Sequence, residues 1–409
     1  MSPDPVAVVP SAWSLAHHGT PSVLRTLWTT TAGWAVPFDP THVVTSRTPG
    51  LVLLAAPLYR IWPGAGPADQ LPASLLAAVI TAAAVASLAV LFSKLASRRV
   101  ALVAALIAAF ATTTWTVSGS ALWPHGPDQL FLIIAMSGLA AGTAARAGLG
   151  FALCMLVRPP LAIVAAVAGL AFSWARRSLR PAITIGLISG LGLLAFVAYA
   201  DHYWHSGQAG GGALSGATVH GYHGSFFDVS PAAMLDLAEK IGSALVAPNH
   251  GILPYSPFLL VLAFGLPAAW RNAPGWVRSS AVGGVLYFVI QMKSEVFDGG
   301  TNFWGYRYPL ETLTLMAPLL LLAWTHWVSR GLRRRAAFAA LVVASVGMQV
   351  IGALSFQLPL TTHVWAPADL VTAVVGSPGT ITVALAGGIG ACVTYLAMTR
   401  RTAHQPATV

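Results

Sequence analysis

The chain has 409 residues, of which 56% are hydrophobic and only 8% charged, and its mean hydropathy is +0.71. That leaves too little polar surface for a soluble globule and enough length for about ten bilayer crossings. The formal net charge of +10 does not by itself imply nucleic acid, because in a membrane chain the meaning of a charge depends on where it sits relative to the spans.

The first 70 residues are polar and aromatic until 49–62, PGLVLLAAPLYRIW. That run is too short for a comfortable span and carries Arg60, so it reads as an interfacial, juxtamembrane helix. Apolar windows long enough to cross follow at 71–93, 100–117, 127–145, 181–200, 251–270, 278–292, 309–328, 336–356 and 376–398. Between 147 and 175 an apolar run is interrupted by Arg158-Pro159-Pro160, which predicts two short helices meeting at a break. The expectation is an all-α, polytopic transmembrane helical bundle of about 11 crossings. Residues 1–70 form an extracytoplasmic first loop, 71–398 the bundle, and 399–409 a cytoplasmic tail. The outer loops are 118–127, 201–250, 293–308 and 357–375.

The charges orient this bundle. Of the 22 basic residues, 15 fall on one side: Lys94, Arg98, Arg99, Arg146, Arg176, Arg177, Arg180, Arg271, Arg278, Arg330, Arg333, Arg334, Arg335, Arg400 and Arg401. By the positive-inside rule that side is cytoplasmic. All twelve acids fall on the other, as do ten of the twelve histidines. An integral plasma-membrane protein with a cytoplasmic C-terminus and an extracytoplasmic active face is therefore expected, and a nucleic-acid role has no support. A polar segment as long as 1–70 needs a preceding hydrophobic helix for export, so a first transmembrane helix upstream of Met1 is expected too.

The cysteines, Cys154 and Cys392, lie in apolar runs with no CxxC or Cys/His cluster beside them and read as packing residues. In 201–250 the HxxxH and HGYHG spacings offer histidines without a carboxylate at a fixed helical offset, so metal binding is weakly supported and no metal ligand is assigned. Residues 231–246 have helical periodicity with Asp236, Glu239 and Lys240 on the polar side, as an amphipathic surface helix would. SGSALWPHGPD, 118–128, is a polar turn with Trp123, His125 and Asp128 at the mouth of two helices. Arg158 sits at mid-membrane by hydropathy, where a guanidinium needs an anionic partner or a polar cavity. His250 closes the large loop. The stretch 293–311, KSEVFDGGTNFWGYRYPLE, concentrates charge and aromatics between two apolar runs. Its Arg307 offers a planar fork of donors suited to phosphate, close to the start of a helix whose first turn carries Glu311.

Taken together, the pattern resembles the GT-C superfamily of membrane glycosyltransferases, which take a sugar from a polyprenyl-phosphate carrier on the outer face of the membrane. The similar features are an acid in the first outer loop (Asp4 in SPDPVAVVPSAWSLAHHG) and the lead-in Thr45-Ser46-Arg47-Thr48-Pro49-Gly50 to a juxtamembrane helix. The WPHGPD turn, the break at Arg-Pro, the NHGILPYSP helix start and the GGTNFWGYRY loop complete it. Each piece is loose, the set spans nearly the whole chain, and one acid stands where the family usually has a pair. The resemblance implies a GT-C-like transferase of the cell envelope, of the protein mannosyltransferase or aminoarabinose transferase kind, that inverts the anomeric centre. It makes Asp4 the catalytic base, with Arg47, His125, Asp128, Arg158, His250, Trp304, Arg307 and Tyr308 binding substrate and phosphate. The implied partners are membrane lipid, a lipid-linked polyprenyl-phosphate sugar donor and a glycan, lipid or protein acceptor, with a divalent metal as a weakly supported helper. The competing readings are a membrane transporter or lipid flippase, and a non-catalytic protein of the same shape.

Overall fold

A computed structural model describes residues 3–28, 34–204, 228–294 and 303–355. The N-terminal segment departs from the all-α expectation. After the short helix α1 (Pro3–Val6) and the longer α2 (Val8–His18) come three short strands: β1 (Val23–Leu24), β2 (Ala35–Pro37) and β3 (His42–Thr45). β3 is central and antiparallel to both neighbours. The β-branched Val43 and Val44 suit a half-buried strand and are both buried. The sheet is tied to its surroundings through Thr45, whose N–H donates to Ser11 Oγ and whose carbonyl accepts from Trp204 Nε1 at 3.0 Å. Short strands in a polar segment leave little periodicity to read, which is why the sequence hid them.

The short helix expected at 49–62 forms. α3 (Pro49–Ile61) starts with a proline in its first turn, where the missing N–H costs nothing. Tyr59 Oη donates to the Asp69 carbonyl at 2.6 Å and pins its far end to the following loop.

The bundle follows as α4 (Leu71–Phe92), α5 (Arg98–Phe110), α6 (His125–Ala140), α7 (Ala144–Val157), α8 (Ala162–Arg176) and α9 (Arg180–Trp204). After these come α10 (Pro231–Val246), α11 (Ile252–Tyr255), α12 (Phe258–Ala263), α13 (Leu266–Asn272), α14 (Gly275–Ser294), α15 (Leu310–His326) and α16 (Leu332–Ser355). Five helical segments among the described residues are long and apolar enough to cross a membrane: Leu71–Phe92, Pro159–Arg176, Arg180–Trp204, Leu310–Arg330 and Leu332–Leu354. The expected single span at 251–270 is instead three short helices, because Pro254, Pro257 and Pro267 interrupt the ladder. The expected span at 100–117 closes early, at Phe110, and a wide π turn over Thr114–Ser118 follows it. The window at 376–398, the loop at 357–375 and the tail at 399–409 lie outside the described residues.

α7 packs between α6 and α9. A Cβ added at Gly150 would run into the α6 backbone at Phe131 and Ala135, and one at Gly192 into the α7 backbone at Ala152. Small residues at these crossings let the helices approach closely, as dispersion-driven packing in lipid requires. Cys154 is fully buried in this core, as a packing residue should be. α10 carries its expected pattern: Ser230 caps it by accepting from Ala233 N, and Lys240 pairs with Asp236 at 2.8 Å.

The turn between β2 and β3 yields a pH dependence. Desolvation pushes the Asp39 pKa up, but the two backbone and two side-chain donors of Thr41 and His42 together outweigh it and hold the group at about 2. A carboxylate depressed by folding stabilises above its unfolded pKa and loses that contribution as pH falls through the folded value. Amide-exchange protection of the strands is therefore expected to hold at neutral pH and to fall from about pH 4 toward about pH 2. Asp39→Asn should flatten that profile; a profile identical in wild type and variant would contradict the assignment.

Candidate functional site

Four helix ends meet at one end of the bundle and bring together charges that are far apart in sequence. Arg158 follows α7 directly. Pro159 disfavours the helical conformation for the residue before it, and Arg158 duly leaves the helix with φ −149° and ψ 87°. Its guanidinium Nε lies 3.5 Å from Asp128 Oδ2 and 3.7 Å from Glu311 Oε1. Its Nη1 donates to Tyr287 Oη at 3.1 Å, and that hydroxyl donates to Gln291 Oε1 at 3.0 Å near the C-terminal end of α14. Asp128 stands in the first turn of α6 and Glu311 in the first turn of α15. Both carboxylate side chains are fully buried, while Arg158 keeps 13% of its side chain exposed.

The placement follows helix electrostatics. Carboxylates are favoured at helix N-termini and cations at C-termini, by about 0.3–1 kcal/mol each and up to about 2 kcal/mol where partly buried. Here two N-terminal carboxylates face one guanidinium at a helix C-terminus. His125, the first residue of α6, donates through Nδ1 to Glu311 Oε1 at 2.7 Å; a carboxylate only accepts, so this contact fixes the proton on Nδ1. The His125 Nε2, both Asp128 oxygens and Glu311 Oε2 are buried without a hydrogen bond, so the cluster has polar capacity left over.

Above it lies an aromatic enclosure. The Arg307 guanidinium carbon is 4.7 Å from the Trp123 ring centre, 5.0 Å from Phe303 and 4.9 Å from Tyr308, and Nη2 donates to Tyr308 Oη at 3.1 Å. Cations gain from such faces. Trp123 in turn approaches His125, with ring centres 6.4 Å apart, so the enclosure adjoins the ion cluster. His250 stacks on Phe303 and donates through Nδ1 to the Gly305 carbonyl at 2.7 Å. Gly305 has φ +77°, and a Cβ there would fall 2.7 Å from Thr113 Cγ2 and 3.1 Å from Tyr255 Cδ1; only glycine suits this turn.

Of the residues expected to bind substrate, His125, Asp128, Arg158, His250, Arg307 and Tyr308 thus fall in one contiguous region. His125 and Asp128 lie inside the start of α6 and not on an exposed turn, because the helix begins at His125. Trp304 points elsewhere: its Nε1 donates to the Met348 carbonyl and its ring meets Tyr255 edge-on, so it joins the core against α16. Arg47 stacks its guanidinium 3.4 Å from the Trp34 ring centre. It lies three residues before Gly50, where a Cβ would strike the α7 backbone at Leu156 and the Val157 side chain; the sheet module is thereby held against the helix end that carries Arg158. Asp4 falls in α1, and its side chain lies outside the described residues. Glu311, Tyr287 and Gln291 were not among the expected binders, although for Glu311 and Gln291 an acid or amide inside an apolar run is the signal that would have found them. Among the described residues no group of three His, Cys, Asp or Glu could hold a metal ion; most of the histidines of 201–250 lie outside them.

No family model matches the chain, and no curated protein sequence matches it. Among solved structures, the Archaeoglobus fulgidus oligosaccharyltransferase in its apo form aligns with a TM-score of 0.46 and 15% identity, over 95% of this chain and 52% of that one. The same enzyme in complex with Zn and sulfate aligns at 0.39 and 17%, over 95% and 49%. The chain spans about half the length of the archaeal protein, and a likeness of this TM-score fixes neither the family nor the chemistry.

Removing one partner of a buried ion cluster strands the others, at a cost of about 3–5 kcal/mol, whereas removing all formal charge together is often close to neutral. Arg158→Met is expected to lower stability in detergent by that amount, and Asp128→Asn/Arg158→Met/Glu311→Gln to recover most of it. A triple variant less stable than Arg158→Met would show that the charges do not act as one unit.

Proposed function

We propose that the chain is a membrane glycosyltransferase moving a sugar from a polyprenyl-phosphate carrier to a hydroxyl acceptor at the extracytoplasmic end of the bundle, with its C-terminus in the cytoplasm. The observation that carries the reading is the join between a hydrogen-bonded ion cluster and a cation held among aromatic faces, at helix ends that the charge pattern of the sequence assigns to the outer side. A lipid-linked sugar phosphate presents what such a place can recognise: an anion near the membrane surface, an apolar tail and a sugar face for aromatic contact.

In this mechanism the acceptor oxygen attacks the anomeric carbon as the bond from that carbon to the phosphate oxygen breaks. The acceptor proton passes to the Asp4 carboxylate as general base, and polyprenyl phosphate leaves with the bonding electrons. The Arg307 guanidinium binds the phosphate and stabilises the charge growing on it. Arg158 has a different part from the one its residue type suggests. Two carboxylates engage it, so it orients the starts of α6 and α15 and leaves the phosphate to Arg307. Glu311 holds the His125 ring in the tautomer that leaves Nε2 as an acceptor. The acceptor is a glycan, lipid or protein hydroxyl.

Asp4→Asn is expected to reduce sugar transfer by about 10²-fold or more with the folded fraction unchanged. Arg307→Gln should lower kcat/KM for the lipid-linked donor by about 10²-fold, with Arg307→Lys intermediate because an ammonium keeps the charge without the planar fork. Transfer assays on purified, reconstituted variants check both. Near-normal turnover of Asp4→Asn would remove Asp4 from the mechanism, and an Arg307→Gln enzyme with unchanged donor kinetics would remove the phosphate clamp.

A further inference from the structure

An apolar cavity of about 120 Å³ opens among α4, α5, α6, α12, α15 and α16, distinct from the ion cluster. Along α15 its lining runs from Leu313 to Trp324, a rise of roughly 16 Å, or about half the ~30 Å hydrocarbon core of a bilayer. Its two ends differ. Toward the ion cluster it is closed by a polar lid, in which Gln129 Nε2 donates to Thr114 Oγ1 at 3.0 Å and to Thr314 Oγ1 at 3.2 Å. At the opposite end it is lined by Arg99, with Phe338 beside it.

That second end is basic and uncompensated. Arg98 precedes Arg99 in the first turn of α5, and Lys94 stands in the short connection before that helix; all three are exposed. On α16, Arg334 lies one turn from Phe338 on the same face, with its guanidinium held over Trp327. The sequence contains no Asp or Glu between residues 70 and 127, and none between 312 and 368. An apolar slot one leaflet deep, with cations at one end and a hydrogen-bonded polar cluster at the other, matches a lipid whose anionic head stays at the surface while a chain enters.

We propose that this cavity binds one anionic phospholipid from the leaflet at the basic end of the bundle, with its phosphate at Arg99 beside Lys94 and Arg98 and one acyl chain running up to the Gln129–Thr114–Thr314 lid. The site lies at the end of the bundle opposite the ion cluster, and it stands whether or not the glycosyl-transfer reading does. The lid separates the slot from Asp128, so the chain enters from the basic end and not from the transfer site.

The test is native mass spectrometry of the detergent-purified protein titrated with phosphatidylglycerol, phosphatidylcholine or polyprenyl phosphate. One phosphatidylglycerol is expected to bind in preference to phosphatidylcholine. Arg99→Gln should weaken it about fivefold, the loss of one surface cation from an anionic lipid. Ala104→Trp, which fills the slot without touching a charge, should abolish binding while a thermal melt confirms that the variant is folded. Equal binding of phosphatidylcholine and phosphatidylglycerol would overturn the proposal. So would retained phosphatidylglycerol in a folded Ala104→Trp protein, which would leave the head bound and the slot empty. Polyprenyl phosphate that displaces phosphatidylglycerol and is itself lost in Ala104→Trp would assign the slot to the carrier and overturn it too. If Ala104→Trp does not fold, Val103→Phe serves the same purpose with the same outcomes.

Discussion

The structure depends on Arg158 being surrounded by carboxylates. In hydrocarbon an isolated guanidinium is costly, and so is an isolated carboxylate; here each justifies the presence of the other. Asp128 comes from α6, Glu311 from α15, Tyr287 and Gln291 from α14, and Arg158 from the break after α7. Helices that would otherwise be free to slide past one another in lipid are thereby fixed in register at one end. The attraction is directional in a way that apolar packing between these helices is not, because lipid tails compete equally well for an apolar face.

The same end of the bundle carries the rest of the polar apparatus. α3 abuts the last turn of α7 at Gly50, and Trp204 at the end of α9 reaches the sheet through Thr45. The aromatic enclosure of Arg307 is carried by the loop leading into α15, four residues before Glu311. Its shape comes from a left-handed glycine, Gly305, whose carbonyl receives His250 and whose missing Cβ makes room for Thr113 and Tyr255. Ion cluster, enclosure and sheet module are thus all carried by helix ends and the loops that join them.

Much of this was legible in the sequence, for physical reasons that differ by residue. The break at Arg158-Pro159-Pro160 was readable because proline forbids a continued helix, and the charged side chain could only be buried with a partner. The helix at 49–61 was readable from Pro49 and an apolar run too short to span. Asp128 and Glu311 each stand near a proline that starts a helix, so their positions were foreseeable, but their convergence on one arginine was not: it depends on which helices pack side by side, which hydropathy does not encode. The sheet was invisible because its strands are two to four residues long. The surroundings of Trp304 were not legible, because an aromatic loop residue in a membrane protein can mark an interface or a core equally well; in the fold it packs against Tyr255 and bonds the Met348 carbonyl.

The proposed chemistry turns on whether a lipid phosphate is bound at this end of the bundle and then released from its sugar. The most direct measurement is to reconstitute the purified protein in liposomes with a polyprenyl-phosphate donor labelled in the sugar and a mixture of hydroxyl acceptors, and to follow both label and lipid. The account predicts label transferred to acceptor with stoichiometric appearance of free polyprenyl phosphate. Intact donor moved across the bilayer with no label transferred would contradict it, and would make the buried charges those of a transporter.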